Sequence, residues 1–295
     1  MIYLTGFADE AATDIDGQIR ATKELGWSCI EARSVDGKNI HDLEEAAFDT
    51  VCRKLDAAGI QINAFGSAIA NWSKQVTDPM DVTLSEVGRA IPRMKRLGAK
   101  IIRIMSFAVL KDCGPDDQME KERFKRLRDI VKRFTDDGLT PVHENCMNYG
   151  GMGWPYTLKL IENVPGLKLV FDTGNPVFAV DRSRPEPCPQ QSVWEFYSRV
   201  RPHIAHVHIK DGYVTPEGKH IFTFAGEGQG DTRLVMRDLL ETGYEGGISI
   251  EPHLAVVFHD ASVQADNTVR YQNYVEYGRR FMTLLREVKP DVRYS

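Results

Sequence analysis

The chain has 295 residues, of which 42% are hydrophobic and 27% are charged, and its formal net charge is −5 at pH 7. These values are ordinary for a soluble protein and leave enough apolar residues for a large core. The negative charge argues against a broad nucleic-acid surface, which needs clustered Lys and Arg. Because the chain contains no run of about 18 apolar residues, we also expect no membrane span.

The N-terminus and the cysteines indicate the compartment. Residues 1–6 lack the basic region and long apolar stretch of a secretory signal, so we expect them to form a first strand. The five cysteines are an odd number without a C-x-x-C pair. In a chain of this length they are most simply reduced thiols in the cytosol. We therefore expect a cytoplasmic protein.

Strand-like and helix-like segments alternate almost throughout the chain. Apolar residues three and four positions apart, such as Val87, Ile91 and Met94, predict helices with one apolar stripe each. A glycine follows each of five predicted helices directly before a strand, as expected for a left-handed C-terminal cap. These glycines are Gly26, Gly59, Gly98, Gly138 and Gly243. The predicted strands are 2–5, 28–32, 60–65, 101–105, 139–143, 167–171, 204–209 and 247–250.

This alternation predicts an α/β fold with a parallel sheet. Eight strand–helix units favour a (β/α)8 TIM barrel, with residues 1–295 forming one domain. An open doubly wound sheet would more often have a glycine-rich phosphate loop after its first strand, whereas residues 6–10 contain one glycine. Long loops at 214–231 and 253–267 follow the last two strands. Such loops usually shape or cover the site of a barrel.

Four hydrophobic runs in the second half of the chain each end in a residue that can bind a metal. These residues are Glu144, Asp172, His208 and Glu251, spaced by about one strand–helix unit. Because strand ends meet at one face of a barrel, we expect one site built from all four. Each residue alone would more often cap a helix or pair with a lysine. Three carboxylates and one imidazole suit Mn²⁺, Mg²⁺ or Co²⁺, with Zn²⁺ also open.

Polar and aromatic residues near these strand ends are candidate substrate contacts. Lys210 could contact a substrate hydroxyl or oxyanion, with a salt bridge at the rim as the alternative. Glu31 and Arg33 are two apart on the second strand, so their side chains should face the same side of the sheet. If that side is the inside of the barrel, the pair could be a structural ion pair of the barrel core or a contact to the sugar. Trp72 and Trp154 follow the third and fifth strands, where aromatic faces often stack on sugars or simply pack.

Further candidates lie in the loops and on the seventh strand. His206 should share a face with His208, and His253 lies two residues past Glu251. Glu227, in the glycine-rich part of the first long loop, could reach over the site or stabilise its own loop. The complete set of candidate substrate-binding residues is Lys210, Asn175, His206, Arg33, His253 and Glu227.

Four segments together resemble the xylose-isomerase-like TIM barrels. They are H-x-H-x-K-D at 206–211, G-E-G-x-G-D at 226–231, D-T-G-N at 172–175, and the two strand-ending glutamates. The superfamily includes sugar (phosphate) isomerases and epimerases, inosose dehydratase and endonuclease IV repair enzymes. The resemblance covers nearly the whole chain. It implies that Glu144, Asp172, His208 and Glu251 bind the metal and that Glu144 and Glu251 are also the catalytic acid–base pair.

The sequence differs from the ketose 3-epimerases of this group at two positions. Those enzymes carry a histidine three residues past the aspartate, where this chain has Asn175. They also carry an arginine just after the histidine strand, where this chain has Lys210. These differences weaken a direct assignment as a free-ketose epimerase.

The leading hypothesis is a divalent-metal-dependent sugar or sugar-phosphate isomerase or epimerase, with Mn²⁺ as the first choice of metal. It would transfer a proton through a metal-stabilised enediolate. A dehydratase or other lyase acting on a keto-inositol or keto-sugar is the alternative, and a non-catalytic carbohydrate-binding barrel is a remote one. Eight histidines and the negative net charge disfavour a DNA repair enzyme. The expected partner is a small-molecule sugar, and we expect binding to neither nucleic acid nor a membrane. The resemblance also suggests that the chain could form a homo-oligomer.

Overall fold

Eight parallel strands alternate with eight α-helices in the part of the chain that the structure describes. The computed structural model describes residues 1–257 and 260–295, without the side chains of 260–264. The strands form a nearly closed barrel with the helices around it, which confirms the predicted (β/α)8 TIM barrel.

The barrel strands agree with the predicted ones to within one or two residues at each end. They are β1 (Tyr3–Gly6), β2 (Cys29–Ala32), β3 (Gln61–Gly66), β4 (Ile101–Ile104), β5 (Thr140–Glu144), β6 (Lys168–Asp172), β7 (Ile204–Ile209) and β8 (Gly247–Ile250).

The helices that follow these strands pack their apolar stripes against the outside of the barrel. They are α1 (Ile15–Glu24), α2 (Glu45–Ala58), α3 (Met80–Leu97), α4 (Glu120–Asp136), α5 (Trp154–Asn163), α6 (Val193–Val200), α7 (Thr232–Glu241) and α8 (Asn267–Val288). All five predicted cap glycines have positive φ, and Gly59 and Gly98 are the C-caps of α2 and α3.

The strand order places the last four strands next to one another. The order around the barrel is β1-β8-β7-β6-β5-β4-β3-β2, and every neighbouring pair is parallel. Asp172 at the end of β6 lies opposite His208 in β7, and His208 lies opposite Ser249 in β8. This register brings the strand ends that carry the candidate ligands to one level of the barrel.

Both long loops on this face contain short antiparallel strands. After β7, Asp211–Val214 pairs with His220–Thr223. After β8, Val256–Val257 pairs with Asp260–Gln264. Residues 258 and 259 of the predicted loop 253–267 lie outside the described residues. The described parts of both loops therefore form walls on the side where the strands end.

Two further features concern the expected lack of a membrane span and the state of the cysteines. Within the described residues, no helix combines the length and apolar character needed to cross a membrane. All five cysteines are free thiols.

Candidate metal centre

The four predicted metal ligands meet at the C-terminal ends of β5 to β8. Glu144, Asp172, His208 and Glu251 each offer one ligand atom, and these atoms lie within 4.8 Å of one another. All four side chains are buried. Because each is anchored at the end of a barrel strand, their mutual positions are set by the sheet rather than by flexible loops.

Each of the two glutamates is held by an arginine from another part of the barrel. Arg103, on β4, donates through Nη1 to Glu144 Oε2 at 2.9 Å. Arg33, just after β2, donates through Nη1 to Glu251 Oε1 at 2.8 Å. The other oxygen of Glu144 is also engaged, because Asn175 Nδ2 donates to Glu144 Oε1 at 2.9 Å.

Asp172 has one oxygen satisfied by the backbone and one oriented for another partner. Its Oδ1 accepts the backbone N–H groups of Gly174 and Asn175 at 2.8 and 2.7 Å. Asn145 fixes the main chain of Asp172 through two hydrogen bonds, to its N–H and to its carbonyl oxygen. The D-T-G-N segment therefore forms a turn that holds the aspartate in one orientation.

His208 is oriented by a carboxylate from the far side of the barrel. Its Nε2 lies 3.1 Å from Glu31 Oε1, and the other oxygen of Glu31 lies 2.7 Å from His206 Nε2. The second nitrogen of His208, Nδ1, lies 3.7 Å from Glu144 Oε1. The ring thus presents Nδ1 to the three carboxylates.

These groups fit a divalent cation. His208 Nδ1 is buried and has no hydrogen-bond partner among the described residues, and a buried polar atom without such a partner is costly. Asp172 Oδ2 lies 3.2 Å from Lys210 Nζ, and both Asp172 and His208 belong to the same four-residue cluster. Three carboxylate oxygens and one imidazole nitrogen form a donor set that suits Mn²⁺, Mg²⁺ or Co²⁺ and admits Zn²⁺.

The ammonium group of Lys210 lies among the same carboxylates. Its Nζ is 3.0 Å from Glu251 Oε2 and 3.2 Å from Asp172 Oδ2. The side chain is buried, so this is not a salt bridge at the rim. Lys210 supplies a positive charge at the position where the two carboxylates converge.

Burial and these charges shift the pKa values of the ligands in different directions. Burial raises the pKa of Glu144, but Arg103 and His208 outweigh it and bring the value to about 2. Burial dominates at Asp172 and raises its pKa to about 6, against the opposing effect of Lys210. Burial lowers the pKa of His208, but Glu31 and Glu144 raise it to about 10. A bound cation would favour the charged form of Asp172 and the neutral form of His208.

A second buried cluster adjoins the first through Glu251. Glu10, from the turn after β1, accepts from the backbone N–H of His253 at 2.8 Å and lies 3.0 Å from its Nδ1. His253 Nε2 is 4.0 Å from Glu251 Oε1. His253 has a φ of +55°, a strained conformation for this residue type that positions its ring beside Glu251.

The candidate substrate contacts fall into two groups. Lys210, Asn175, Arg33 and His253 line a cavity beside the candidate metal ligands, together with Trp72. Two other candidates lie elsewhere. His206 is buried two residues further down β7, against Glu31. Glu227 is exposed and pairs with Arg280 of α8 at 3.0 Å.

The side chains of Glu31 and Arg33 both lie inside the barrel, but they contact different residues. Glu31 contacts the two histidines of β7, whereas Arg33 binds Asp9, Glu10 and Glu251. Trp154, the other tryptophan that follows a strand, begins α5 and stacks with Arg199.

Sequence reasoning missed Arg103, Asp9 and Glu10. Arg103 stands in the apolar run I-I-R-I of β4, and a charged residue inside a buried strand was an available signal. Asp9 and Glu10 lie in the turn after β1, where the single glycine is the more conspicuous feature of the sequence. Both are buried, with side chains 2% and 3% exposed, and they bind Arg33.

The glycine-rich segment after β7 is organised by Asp211. The Asp211 carboxylate accepts the backbone N–H groups of Gly226 and Gly230, both at 2.8 Å. A Cβ at Gly228 would lie 2.3 Å from Asp211 Oδ1. The H-x-H-x-K-D and G-E-G-x-G-D segments thus form one structural unit, in which the glycine-rich segment wraps around Asp211.

Comparisons with solved structures show the same fold at low sequence identity. A xylose isomerase-like TIM barrel protein from Mycobacterium smegmatis, in complex with magnesium, is 18% identical with a TM-score of 0.66, over 96% of this chain and 97% of that one. The probable 3-DHS dehydratase AsbF of Bacillus anthracis is 15% identical with a TM-score of 0.68, over 96% and 99%.

A D-psicose 3-epimerase from Clostridium cellulolyticum H10, with D-tagatose, is 15% identical with a TM-score of 0.68, over 97% and 99% of the two chains. No curated protein sequence matches the chain. The family model described as xylose isomerase-like TIM barrel matches residues 19–269, which is most of the barrel. On that match, the chain belongs to the xylose isomerase-like TIM barrel family.

Proposed function

We propose that this protein is a divalent-metal-dependent sugar or sugar-phosphate isomerase or epimerase, with residues 1–295 acting as one cytoplasmic domain. The observation that carries the proposal is the convergence of three buried carboxylates and one imidazole, whose ligand atoms lie within 4.8 Å of one another, in a cluster where arginines hold both glutamates. Glu144, Asp172, His208 and Glu251 would hold the metal, for which Mn²⁺ is our first choice. A homo-oligomer is compatible with this proposal.

When bound, the metal would polarise a substrate carbonyl and stabilise the negative charge of an enediolate. The protein's part is to hold the bases, orient the substrate and exclude water. Glu144 and Glu251 end strands that are separated in the barrel by β6 and β7. Both have a pKa well below the usual value, so both are carboxylates at neutral pH, the form that a base requires.

Proton transfer would use these two glutamates in turn. One glutamate removes the proton from the carbon next to the carbonyl, and the same or the other glutamate returns a proton to the adjacent carbon or the opposite face. Arg33 and Arg103 keep the two carboxylates in place through charge-assisted hydrogen bonds. A glutamate fixed in this way can act without first losing rotamer freedom.

Lys210 and Asn175 are positioned to bind the substrate. Both line the cavity beside the ligands. Lys210 would donate to a substrate hydroxyl or to the developing oxyanion. Asn175 already donates to Glu144, so it would orient this base and contact the sugar on the same side.

The alternative is a lyase, and one observation favours it. Lys210 is a buried cation inside the cavity and would hold a leaving hydroxyl group by a hydrogen bond, whereas the ketose 3-epimerases carry other groups at positions 175 and 210. A glutamate would remove the proton next to the carbonyl and deliver it to the hydroxyl on the next carbon, which would leave as water. The product would be an enone lighter than the substrate by one water.

The test is hydrogen exchange with product analysis. Purified protein and the Glu251→Gln variant are incubated with Mn²⁺ in D₂O with ketoses, keto-inositols and 3-keto sugars. Deuterium next to the carbonyl for wild type, and none for the variant, supports the isomerase or epimerase. A product lighter by water moves the assignment to a lyase. Sugar binding without exchange or elimination across the panel would contradict both and leave the carbohydrate-binding barrel.

A further inference from the structure

In the loop after β7, several hydrogen-bond donors converge on the carboxylate of Asp211. Its two oxygens accept three backbone N–H groups, each at 2.8 Å, from Gly212, Gly226 and Gly230. The hydroxyl of Thr232 donates to the same carboxylate at 3.1 Å. Thr232 is the first residue of α7, so this carboxylate lies at the N-terminal end of that helix.

TIM barrels frequently bind a phosphate group of the substrate in this part of the fold. The loops after the seventh and eighth strands form that site together with the N-terminus of a helix. Backbone N–H groups that point to one position in such a turn bind an anion. In this chain the anion is internal, because the buried Asp211 carboxylate accepts these donors itself. A substrate phosphate would find the donors occupied and would be repelled by the carboxylate.

Aromatic side chains from two loops form one wall of the cavity beside the candidate metal ligands. Phe178 ends the short turn after β6, and Phe222 lies in the hairpin after β7. Both line the cavity, and their ring centroids are 4.9 Å apart. The ring of His220 lies 4.8 Å from that of Phe178 and also lines the cavity. We call these three side chains the aromatic wall.

The aromatic wall is held next to Glu251. The ring of Phe222 lies 5.2 Å from that of His253, and His253 Nε2 is 4.0 Å from Glu251 Oε1. A Cβ at Gly212 would lie 2.6 Å from Phe178 Cζ, so the Phe178 ring fills the space that a side chain at Gly212 would need. A substrate that reacts at Glu251 therefore has aromatic carbon beside it.

Such a wall favours the C–H groups of a sugar over a phosphate. The face of a phenyl ring carries partial negative charge, which repels an anion. A phosphate placed against Phe178 and Phe222 would also lose hydration without gaining hydrogen bonds from the rings. The C–H groups of a sugar lose little hydration on the same surface.

The arginines and the lysine of the cavity are engaged by the candidate metal ligands. Within the described residues that line the cavity, these cations are Arg33, Arg103 and Lys210. Arg33 and Lys210 contact Glu251 at 2.8 and 3.0 Å. Arg103 contacts Glu144 at 2.9 Å. A phosphate could bind to these cations only by weakening the contacts that hold the two glutamates.

We propose that the substrate is an uncharged, unphosphorylated polyhydroxy carbonyl compound, a sugar or a cyclic keto-polyol, whose non-reacting carbons lie against Phe178 and Phe222. Asp211 fills the position at which a related barrel would bind a substrate phosphate. This inference rests on the proposed function for the reaction and for the carbonyl group, and it narrows the substrate class to compounds without a phosphate. Phe178 and Phe222 are then residues that determine specificity.

The probes are pairs of ketoses that differ only in a phosphate: D-xylulose and D-ribulose with their 5-phosphates, and D-fructose with its 6-phosphate. Each is incubated with the full chain and Mn²⁺ in D₂O, and deuterium uptake next to the carbonyl gives kcat/KM. For every pair that reacts, we expect kcat/KM to be at least about tenfold higher for the unphosphorylated member, because the phosphate must be desolvated against the aromatic wall.

Variants test whether the aromatic wall causes this preference. Phe222→Lys, and Phe178→Lys as a second variant, should shift the kcat/KM ratio within each pair towards the phosphorylated member by at least about tenfold, because an ammonium group replaces an aromatic ring. Tyr213→Lys is the matched control, since Tyr213 lies in the same hairpin, is 38% exposed and is not among the residues that line the cavity. Each ratio is compared between proteins, so differences in the solution forms of the ketoses cancel.

The role of Asp211 is tested without turnover, by thermal unfolding of metal-free protein. Asp211→Gly should lower Tm, and millimolar inorganic phosphate should restore part of the loss by occupying the vacated donors. Asp211→Asn is the control, since its amide oxygen still fills the position and leaves no room for phosphate. Wild type should gain no more Tm from phosphate than from sodium chloride at the same ionic strength.

Equal or faster exchange of the phosphorylated ketoses in wild type would overturn the inference and leave the proposed function standing. An unchanged ratio in both lysine variants would remove the aromatic wall as its cause. Equal effects of phosphate on Asp211→Gly and on wild type would show that Asp211 does not fill an anion position. No exchange with either member of any pair, nor with the keto-inositols and 3-keto sugars named above, would reject the proposed function and this substrate class with it.

Discussion

Glu31 Oε1 lies 3.1 Å from Nε2 of His208, on the side of the imidazole ring that faces away from the candidate metal position. A carboxylate accepts, so it favours the His208 tautomer that carries its proton on Nε2. In the neutral form of the ring, which a bound cation would favour, that tautomer leaves the lone pair of Nδ1 free, and Nδ1 has no hydrogen-bond partner among the described residues. Glu31 would thereby prepare His208 as a metal ligand without touching the candidate metal position itself.

Replacement of Glu31 should therefore weaken metal binding. We expect Glu31→Gln to lower Mn²⁺ affinity by about 10- to 100-fold, because the amide holds the tautomer less well and removes a negative charge. Calorimetric titration of Mn²⁺ measures this. Glu86→Gln is the matched control, since Glu86 is a buried carboxylate that pairs with Lys74 outside the site. Equal affinities for wild type and Glu31→Gln would contradict the positioning role.

Arg33 should control the pH at which Glu251 works as a base. Burial raises the pKa of Glu251, but Lys210, His253 and Arg33 together hold it well below its usual value. Arg33→Gln removes one of these charges and raises that pKa. Since the base must be deprotonated, the acidic limb of the kcat/KM profile should move to higher pH.

The control for this experiment is Arg93→Gln. Arg93 is a buried arginine that donates to the carbonyl oxygens of Ile40 and Leu43, away from the barrel mouth. Its replacement should leave the position of the acidic limb unchanged. If Arg33→Gln also left it unchanged, Glu251 would not be the titrating base.

His143 should make the fold sensitive to acid. Burial lowers the pKa of His143 from 6.5 to about 4, and its Nε2 lies 3.0 Å from Ser106 Oγ. The unfolded chain binds this proton more readily, so stability is fully present above pH 6.5 and is lost as the pH falls towards 4. The shift corresponds to about 3 kcal/mol.

Urea unfolding at about pH 7.5 and about pH 4.5, on either side of the usual histidine pKa, measures this contribution. Between the higher and the lower pH, the free energy of unfolding should fall less for His143→Gln than for wild type. The difference between the two falls should be most of the contribution of about 3 kcal/mol given above. The difference in unfolding free energy between wild type and His143→Gln at the higher pH measures how much the substitution itself destabilises the protein. An identical loss in the two proteins would show that His143 is protonated in the fold.

Gly228 should tolerate no side chain. A Cβ there would lie 2.3 Å from Asp211 Oδ1 and 2.4 Å from the backbone N of Gly212. Gly228→Ala should destabilise the protein by about 1–3 kcal/mol through overpacking and should disturb the wall beside Lys210. Thermal unfolding measures the loss.

Gly88→Ala is the matched control for Gly228→Ala. Gly88 is an exposed residue of α3, and a Cβ added there would meet nothing within 4 Å. Its replacement should stabilise the helix by up to about 1 kcal/mol. A Gly228→Ala protein as stable as wild type would show that the glycine-rich segment can move away from Asp211.

The sequence predicted the barrel because its signals are local. Apolar periodicity defines each strand and helix, and glycines such as Gly59 and Gly98 end their helices where the chain must turn. Strand-ending carboxylates were equally visible, since three of them and a histidine recur at intervals of about one strand–helix unit. The candidate metal cluster then required only the assumption that the strand ends converge.

The partners of that cluster could not be predicted in the same way. Arg103 reaches Glu144 from a neighbouring strand, and Glu31 reaches His208 from the far side of the barrel. Such contacts depend on register and on side-chain length across the interior, which no short sequence pattern records. Glu227 is a different case: its glycine-rich surroundings suggested either the site or a role within its own loop, and its carboxylate pairs with Arg280 of α8.

The most direct test of the metal centre is a titration of Mn²⁺ into protein stripped with a chelator. We predict one Mn²⁺ per chain for wild type and binding at least about 100-fold weaker for Asp172→Asn, because the variant loses a ligand charge. Asp181→Asn, at a buried aspartate that contacts Ser183, should bind like wild type. No Mn²⁺ binding by wild type, or equal binding by Asp172→Asn, would contradict the account.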